Sequence, residues 1–345
     1  MAKKLRLLFL LIGFGLFCYL VASFGLSNIV TNLKKTGWWF LPVVAIWGIG
    51  YICNTITWRL VLGTAAHGMG IGESFATTVG SFALNYTTPF LTLGGEPFRA
   101  LAIKERVGMR RAVSSVLLFR MIHTTAQLIF WVIAVIIVMV WFPVSTRVEL
   151  YLSIVLFVLI LLIMLFFLAH RHGVMERLFR ILLKFPVPQS WIIRLQKREE
   201  AIQAVDVLIK ELYHERKGTL IQAIGTELLF RLVVSVEYYF ILHAIGSDIS
   251  LPDAVYVSAA VSLMLNIVFF IPFELGAREG SLYLIMQSLN LSSGVGVYVS
   301  LVNRIRELCW IAIGLLLIQI SGGRARVKEA ATIDTGGLLD NKRDI

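Results

Sequence analysis

Residues 80–99 read GSFALNYTTPFLTLGGEPFR, a stretch apolar enough to enter a bilayer yet broken by Pro89, Gly94 and Gly95 and closed by Glu96 and Arg99. A hydrocarbon core of about 30 Å takes about 20 apolar residues to cross as a helix. The stretch 72–93 has that length, but Gly80, Pro89, Thr77, Thr78, Ser81, Asn85, Thr87 and Thr88 interrupt it. Irregular backbone at membrane depth is tolerated only where protein covers it or a water-filled cavity receives it. The stretch therefore reads as a hairpin that enters and leaves on one side, with Glu96 and Arg99 at its end. A second stretch, 254–290, has the same character, with Pro272, Gly276 and Gly280 beside Glu274, Arg278 and Glu279.

Around these two lie six uninterrupted apolar runs, roughly 7–26, 38–62, 112–142, 150–170, 219–245 and 297–321. The whole chain of 345 residues is 58% hydrophobic and 15% charged, with a mean hydropathy of +0.81. Soluble domains carry about a quarter charged residues, so a water-soluble enzyme, a disordered regulator and a disulfide scaffold are excluded. Cys18, Cys53 and Cys309 lie in apolar runs without pairing or metal spacing and read as inert thiols. The net charge of +11 would suggest nucleic acid in a soluble domain, but its distribution points elsewhere. If the six runs span and the two broken stretches are re-entrant, 24 of the 32 Lys and Arg residues fall on one face. A full crossing by 72–93 would instead put the ten basic residues of 171–217 outside, against the positive-inside rule. Both termini are thus expected in the cytoplasm. The first run reads as an uncleaved anchor, since only Val21-Ala-Ser23 resembles a cleavage site. The 171–217 segment, with Arg194, Lys197 and Arg198 before an apolar 3.6-residue pattern, reads either as an interfacial helix on an anionic leaflet or as a solvated connector. Residues 323–345 have the composition of a disordered cytoplasmic tail.

The chain also matches itself at an offset of about 183. Pro89 falls on Pro272, Glu96 on Glu279 and Arg120 on Arg304, while 38–62 falls on 219–245. The matched positions are proline or charged, not the abundant Leu and Val. Each half (about 38–142 and 219–321) reads as a span, a broken hairpin and a span with an early arginine, the halves being linked by 171–217 within a membrane domain of 1–322. Three spans separate the hairpins, so the halves insert oppositely, as in transporters whose site lies where the repeats meet. The expected fold is an all-α polytopic membrane protein of six full transmembrane helices plus two re-entrant hairpins in an inverted-topology repeat.

A charge inside a bilayer costs about 2.5–3.5 kcal/mol on insertion scales and needs a partner or a wet cavity. Arg99 can present a planar fork to a phosphate, or Glu96 and Arg99, three apart, can pair and end the hairpin. In the second hairpin Glu274 and Arg278, four apart, can pair along one helical turn, which leaves Glu279 as the unpaired acid for a cation, a proton or an amine. Arg120 shares a helix face with His123, and Arg304 with Glu307. These groups either bind substrate or form an ion-pair cluster locking the halves. Glu227 and Arg231 are spaced for mutual satisfaction, and Glu237 is either a buried protonated acid or the partner of another span. Asn85 adds a polar side chain beside the first hairpin. No nucleophile elbow, P-loop or zinc spacing occurs, so no catalytic residue, metal or cofactor is assigned.

Gly94-Gly-Glu-x-x-Arg99, followed some twenty residues later by Phe119-Arg120, resembles the first signature of the lysylphosphatidylglycerol synthase transmembrane family, and Ile271-Pro-x-x-x-Gly276-x-x-Glu279-Gly280 resembles its second. The resemblance covers about residues 5–320. It implies translocation of a phospholipid, often aminoacylated, or of another lipid-linked molecule between leaflets of a bacterial or archaeal plasma membrane. Glu96, Arg99, Arg120, Glu279 and Arg304 are then the site positions. Where the family has a glycine-rich stretch after the second proline, this chain has Phe273-Glu274-Leu275, and the soluble aminoacyl-transferring domain is absent from it. A lipid flippase is therefore expected, with a membrane lipid as its partner and no nucleic acid. Two alternatives stand beside it: an enzyme modifying a lipid or polyprenyl-phosphate head group, and an accessory subunit that recruits a cytoplasmic synthase or self-associates.

Overall fold

In a computed structural model of the chain, residues 26–66, 68–87, 95–171, 215–268 and 276–321 are described, together with Leu212, Ile271 and Glu274. The first apolar run, most of 171–217, the links 88–94 and 269–275 apart from Ile271 and Glu274, and the C-terminal tail lie outside the described residues. Among those described, regular structure is entirely helical. A short α1 (Leu26–Thr36) precedes α2 (Phe40–Leu62), α3 (Ile71–Thr87), α4 (Gly95–Leu101), α5 (Lys104–Val107), α6 (Met109–Trp141) and α7 (Thr146–Arg171). After the 171–217 segment come α8 (Lys217–Ala244), α9 (Leu251–Ile267), α10 (Ala277–Ser288) and α11 (Ser293–Ile320).

Four helices are long and apolar enough to cross a membrane: Lys34–Leu62, Met109–Trp141, Thr146–Leu165 and Lys217–Ala244. They coincide with four of the six uninterrupted runs. A fifth run lies on α11, whose 28 residues reach about 42 Å at 1.5 Å per residue, but Arg304, Arg306 and Glu307 interrupt its apolar character. Both broken stretches form a 17-residue helix followed by a shorter one, α3 then α4 and α9 then α10, with the proline in the link. Ser250 starts α9 with a reciprocal capping box: its hydroxyl accepts from the Asp253 amide, and Asp253 Oδ2 accepts from the Ser250 amide at 2.7 Å. Ser250→Ala is expected to cost about 1 kcal/mol in a thermal unfolding assay in detergent.

The packing has an internal exchange relation. The helices α2, α3, α4 and α6 correspond in order to α8, α9, α10 and α11. Helix α2 packs on α8 at the centre, α3 on α11 as α9 on α6, and α4 on α6 as α10 on α11. The pairs α3–α4 and α9–α10, and α2–α3 and α8–α9, complete the pattern. Helix α7 lies outside it, against α6.

Polarity is distributed inside out. Along α7, Leu150, Ile154, Phe157, Leu162 and Leu165 are exposed, a continuous apolar face that soluble monomers avoid. Trp38 and Trp141 are exposed at helix ends, where indoles sit at a lipid–water interface. Arg99, Glu227, Arg231, Glu237, Arg278, Glu279, Arg306 and Glu307, by contrast, are all buried. Helices α3 and α11 approach closely through small residues. A Cβ on Gly314 would lie 2.7 Å from the Val79 carbonyl oxygen, and one on Gly80 would lie 2.7 Å from Ile318. Such contacts hold helices together where lipid leaves no hydrophobic drive between them.

Candidate functional site

The first hairpin is docked by its glycine. The Gly95 amide donates to Asn85 Oδ1 at 2.7 Å, and a Cβ on Gly95 would collide with the Ser81 carbonyl. The start of α4 therefore lies directly on the α3 backbone. One turn on, Arg99 is 7% exposed, its guanidinium 4.3 Å from the Phe119 ring and 5.1 Å from the Trp58 ring. Its hydrogen bonding is sparse: Nη2 donates to Asn54 Oδ1 at 3.5 Å, and Nε has no partner. Among the described residues no carboxylate pairs with it. Of the two readings of this motif, the Glu96–Arg99 pair does not form: the aromatic rings hold Arg99 while Glu96 turns to Arg120 Nη1 at 3.3 Å.

Arg99 faces a cavity of about 190 Å³ at the junction of α2, α3, α4, α6 and α8, with Asn54, Asn85, Glu96, Arg120 and His123 among its lining residues. Trp47, Tyr51, Phe82, Phe119 and Phe230 form its aromatic wall. That volume equals about six waters at roughly 30 Å³ each. Behind it Glu227, fully buried, accepts from Asn54 Nδ2 at 3.0 Å and lies 2.7 Å from His123 Nδ1. Arg231 does not pair with Glu227 as their spacing suggests. It donates instead to the His123 carbonyl at 3.1 Å, and its Nε lacks a partner. Taken together, the three arginines Arg99, Arg120 and Arg231 outnumber the two carboxylates Glu96 and Glu227, so the cavity suits an anion.

The second hairpin builds a separate network. Glu279, expected to be the unpaired acid, is fully buried and fully engaged. It accepts from the Gly276 amide at 2.8 Å, from Ser300 at 2.7 Å and from Arg304 Nη2 at 2.9 Å. A carboxylate at the start of a helix satisfies the free amides there, and that use competes with binding a ligand. The Glu279–Arg304 pair repeats Glu96–Arg120 at the same offset of 183–184 residues. Glu274 and Arg278 pair as their spacing suggests. Arg278 Nη1 also reaches Glu307 Oε1 at 2.5 Å, and Tyr86 donates to Glu307 Oε2. Glu237 is the partner of another span: Arg306 grips it through Nε at 3.1 Å and Nη2 at 3.2 Å, and Trp47 Nε1 donates to it at 2.7 Å.

The profile of the lysylphosphatidylglycerol synthase TM region matches residues 6–314, nine-tenths of the chain. The chain belongs to that family. A relative in it, a UPF0104 membrane protein of Methanothermobacter thermautotrophicus, is 23% identical over 296 residues, 79% of this chain and 82% of its own length. No solved structure matches. Membership of this family, with the four apolar helices, makes the chain an integral membrane protein.

Of the positions singled out in the sequence of this family member, Asn85, Glu96, Arg99, Arg120 and His123 line one cavity. Glu279, Arg304, Glu307, Glu274 and Arg278 do not line it and make the contacts around the second hairpin. The two quartets of helices meet through Asn54–Glu227, Trp47–Glu237 and Tyr86–Glu307. Arg306, Asn54, Trp47 and Trp58 were not singled out. For Arg306 a signal existed, an arginine in the middle of an apolar run. The asparagine and tryptophans carry no such mark. Among the described residues no cluster of histidine, cysteine, aspartate or glutamate could hold a metal ion.

Proposed function

We propose that the protein receives the phosphate-bearing head group of a membrane lipid at Arg99 and moves it between leaflets. The observation that carries this reading is a buried guanidinium stacked on two rings, in no ion pair with a carboxylate of the described residues, with an unpartnered Nε beside a polar cavity. Burying such a group without a counter-ion is costly, and a phosphate oxygen supplies both the charge and the acceptor. The Phe119 and Trp58 rings fix the fork, so little rotamer freedom is lost on binding. Arg120 sits at the same cavity with its side chain 57% exposed, positioned to give a second contact as the head group enters. The cavity admits a head group and not the acyl chains, which stay in lipid.

In this reading the two quartets of helices are repeat halves of opposite orientation, α3–α4 and α9–α10 are re-entrant hairpins, and both termini face the cytoplasm of a plasma membrane. The seam between α2 and α8 is the surface on which the halves rock. The exchange relation of the packing and the positive-inside asymmetry support it.

The test is leaflet exchange of labelled phosphatidylglycerol in liposomes containing the full chain. Arg99→Gln is expected to slow exchange about 10- to 100-fold, the loss of charge-assisted hydrogen bonds of about 1.5–3 kcal/mol, with Arg99→Lys intermediate. Exchange unchanged in Arg99→Gln would overturn the site. A lipid product of altered mass would instead favour a membrane enzyme.

A further inference from the structure

Among the described residues, eight buried polar side-chain atoms have no hydrogen-bond partner, and four of them belong to residues lining the Arg99 cavity: Arg99 Nε, Glu96 Oε2, Tyr51 Oη and Thr78 Oγ1. Buried polar atoms are normally satisfied, because one left bare has lost its hydration for nothing. The two hydroxyls differ from others of their kind nearby. On α3, Ser74, Thr77 and Ser81 each donate to the carbonyl four residues back, the usual outlet for a helical hydroxyl, and Thr78 does not. The hydroxyls of Tyr86, Tyr238, Tyr256 and Tyr298 all have partners, whereas that of Tyr51, a residue of α2 only 4% exposed, has none among the described residues.

A phosphate at Arg99 answers only part of this set. The oxygens of a phosphodiester accept from Arg99 Nε and from either hydroxyl, but they bring no proton for Glu96 Oε2. A ligand that satisfies all four atoms must also carry a donor, either an ammonium or a hydroxyl. An ammonium gains most from open aromatic faces, and guanidiniums already cover two in this wall: Arg306 lies 3.9 Å over Trp47 and Arg99 4.3 Å over Phe119. It also accepts nothing, so Tyr51 and Thr78 would have no partner in it. A hydroxyl does both: it gives its proton to Glu96 Oε2 and accepts one from Tyr51 or Thr78.

We infer that Tyr51, Thr78 and Glu96 form a polyol subsite beside the phosphate position, and that the head group received there carries free hydroxyls and no ammonium. A cavity of about 190 Å³ admits a short polyol such as glycerol and not a sugar chain. The subsite rests on the proposed reception of a phosphate at Arg99, and it adds the identity of what that phosphate bears.

The test compares leaflet exchange of labelled phosphatidylglycerol, phosphatidylethanolamine and phosphatidylpropanol in liposomes containing the full chain. Phosphatidylpropanol has neither a hydroxyl nor an amine on its head group. Phosphatidylglycerol is expected to exchange about 10-fold faster than the other two, the worth of two or three neutral hydrogen bonds. Tyr51→Phe and Thr78→Val each remove a hydroxyl that has no partner among the described residues, so folding loses no hydrogen bond there. Each should cut the phosphatidylglycerol-to-phosphatidylpropanol ratio about 3-fold, and Thr78→Ser, which keeps the hydroxyl, should retain it. Equal rates for those two lipids in the wild type, or a ratio that both variants leave unchanged, overturn the subsite. Slower exchange of all three lipids in Arg99→Gln would still uphold the phosphate site. Fastest exchange of phosphatidylethanolamine overturns the subsite in favour of an amine. If no lipid exchanges, translocation fails, and binding of the same lipids to the full chain in detergent, counted by native mass spectrometry, decides the subsite. A preference for phosphatidylglycerol that both variants lose upholds it, and no preference overturns it.

Discussion

Arg306→Met is expected to destabilise the protein by about 3–5 kcal/mol, the cost of leaving a buried charge without its partner. Arg306 is 2% exposed and binds Glu237 through two parallel hydrogen bonds, while its flat face lies on Trp47. Its removal leaves Glu237, 3% exposed, with the Trp47 indole as the single remaining donor among the described residues. Methionine nearly fills the volume, so the loss reports charge and not a cavity. The double change Glu237→Gln with Arg306→Met removes both charges and should recover more than half of the deficit, because a buried pair itself contributes little net stability. The measurement is a thermal or denaturant unfolding curve in detergent for both singles and the double. A coupling energy near zero, or an Arg306→Met variant within about 1 kcal/mol of wild type, would refute the account.

The same pair marks the boundary of what the sequence discloses. Apolar runs, hairpin breaks and the 183-residue offset are local or periodic properties, and five of the six runs lie on helices of the described residues. The run at 112–142 becomes α6 over Met109–Trp141, and each proline stretch becomes a 17-residue helix, a link and a shorter helix. Glycines and charges in the two hairpin motifs likewise suffice to identify the family over residues 6–314. Ion-pair partners are not local. Spacing offers Glu96 to Arg99, yet two rings and a glycine contact decide where each side chain goes, and Arg120 takes the glutamate from 24 residues away. Spacing likewise offers Glu227 to Arg231, but Asn54 and His123 arrive from α2 and α6 and satisfy the acid first. Glu279 is engaged for another reason: a glutamate three residues into a helix has its own amides to cap, which no count of nearby arginines reveals. The near-neighbour rule held only for Glu274 and Arg278, where both partners sit on one turn beside the break.

Close backbone approach seats α4 on α3 and α11 on α10, and the glycines that permit it, Gly95 and Gly296, should tolerate no side chain. A methyl group at Gly95 would come within 2.8 Å of the Ser81 carbonyl carbon and 2.9 Å of Asn85 Cγ, besides striking the carbonyl oxygen. At Gly296 it would lie 2.5 Å from the Leu282 carbonyl carbon and 2.6 Å from the Tyr283 amide. Main chain cannot rotate aside as a flexible side chain can, so each Gly→Ala change is expected to cost about 3 kcal/mol, the upper part of the overpacking range. The two differ in their second effect. Gly95 donates the hydrogen bond that seats α4, and Arg99 follows one turn later, so Gly95→Ala should also abolish the Arg99-dependent exchange of labelled lipid. Gly296→Ala moves α11 against α10 and should spare the Arg99 cavity in molecules that remain folded. The control is Gly225 on α8, where an added Cβ meets nothing within 4 Å. Alanine there should be neutral or stabilise by up to about 1 kcal/mol through helix propensity. Unfolding midpoints and exchange rates for the three variants, measured on equal amounts of monodisperse protein, would separate the cases. Equal and small effects at Gly95, Gly296 and Gly225 would mean that neither helix pair rests on its glycine contact.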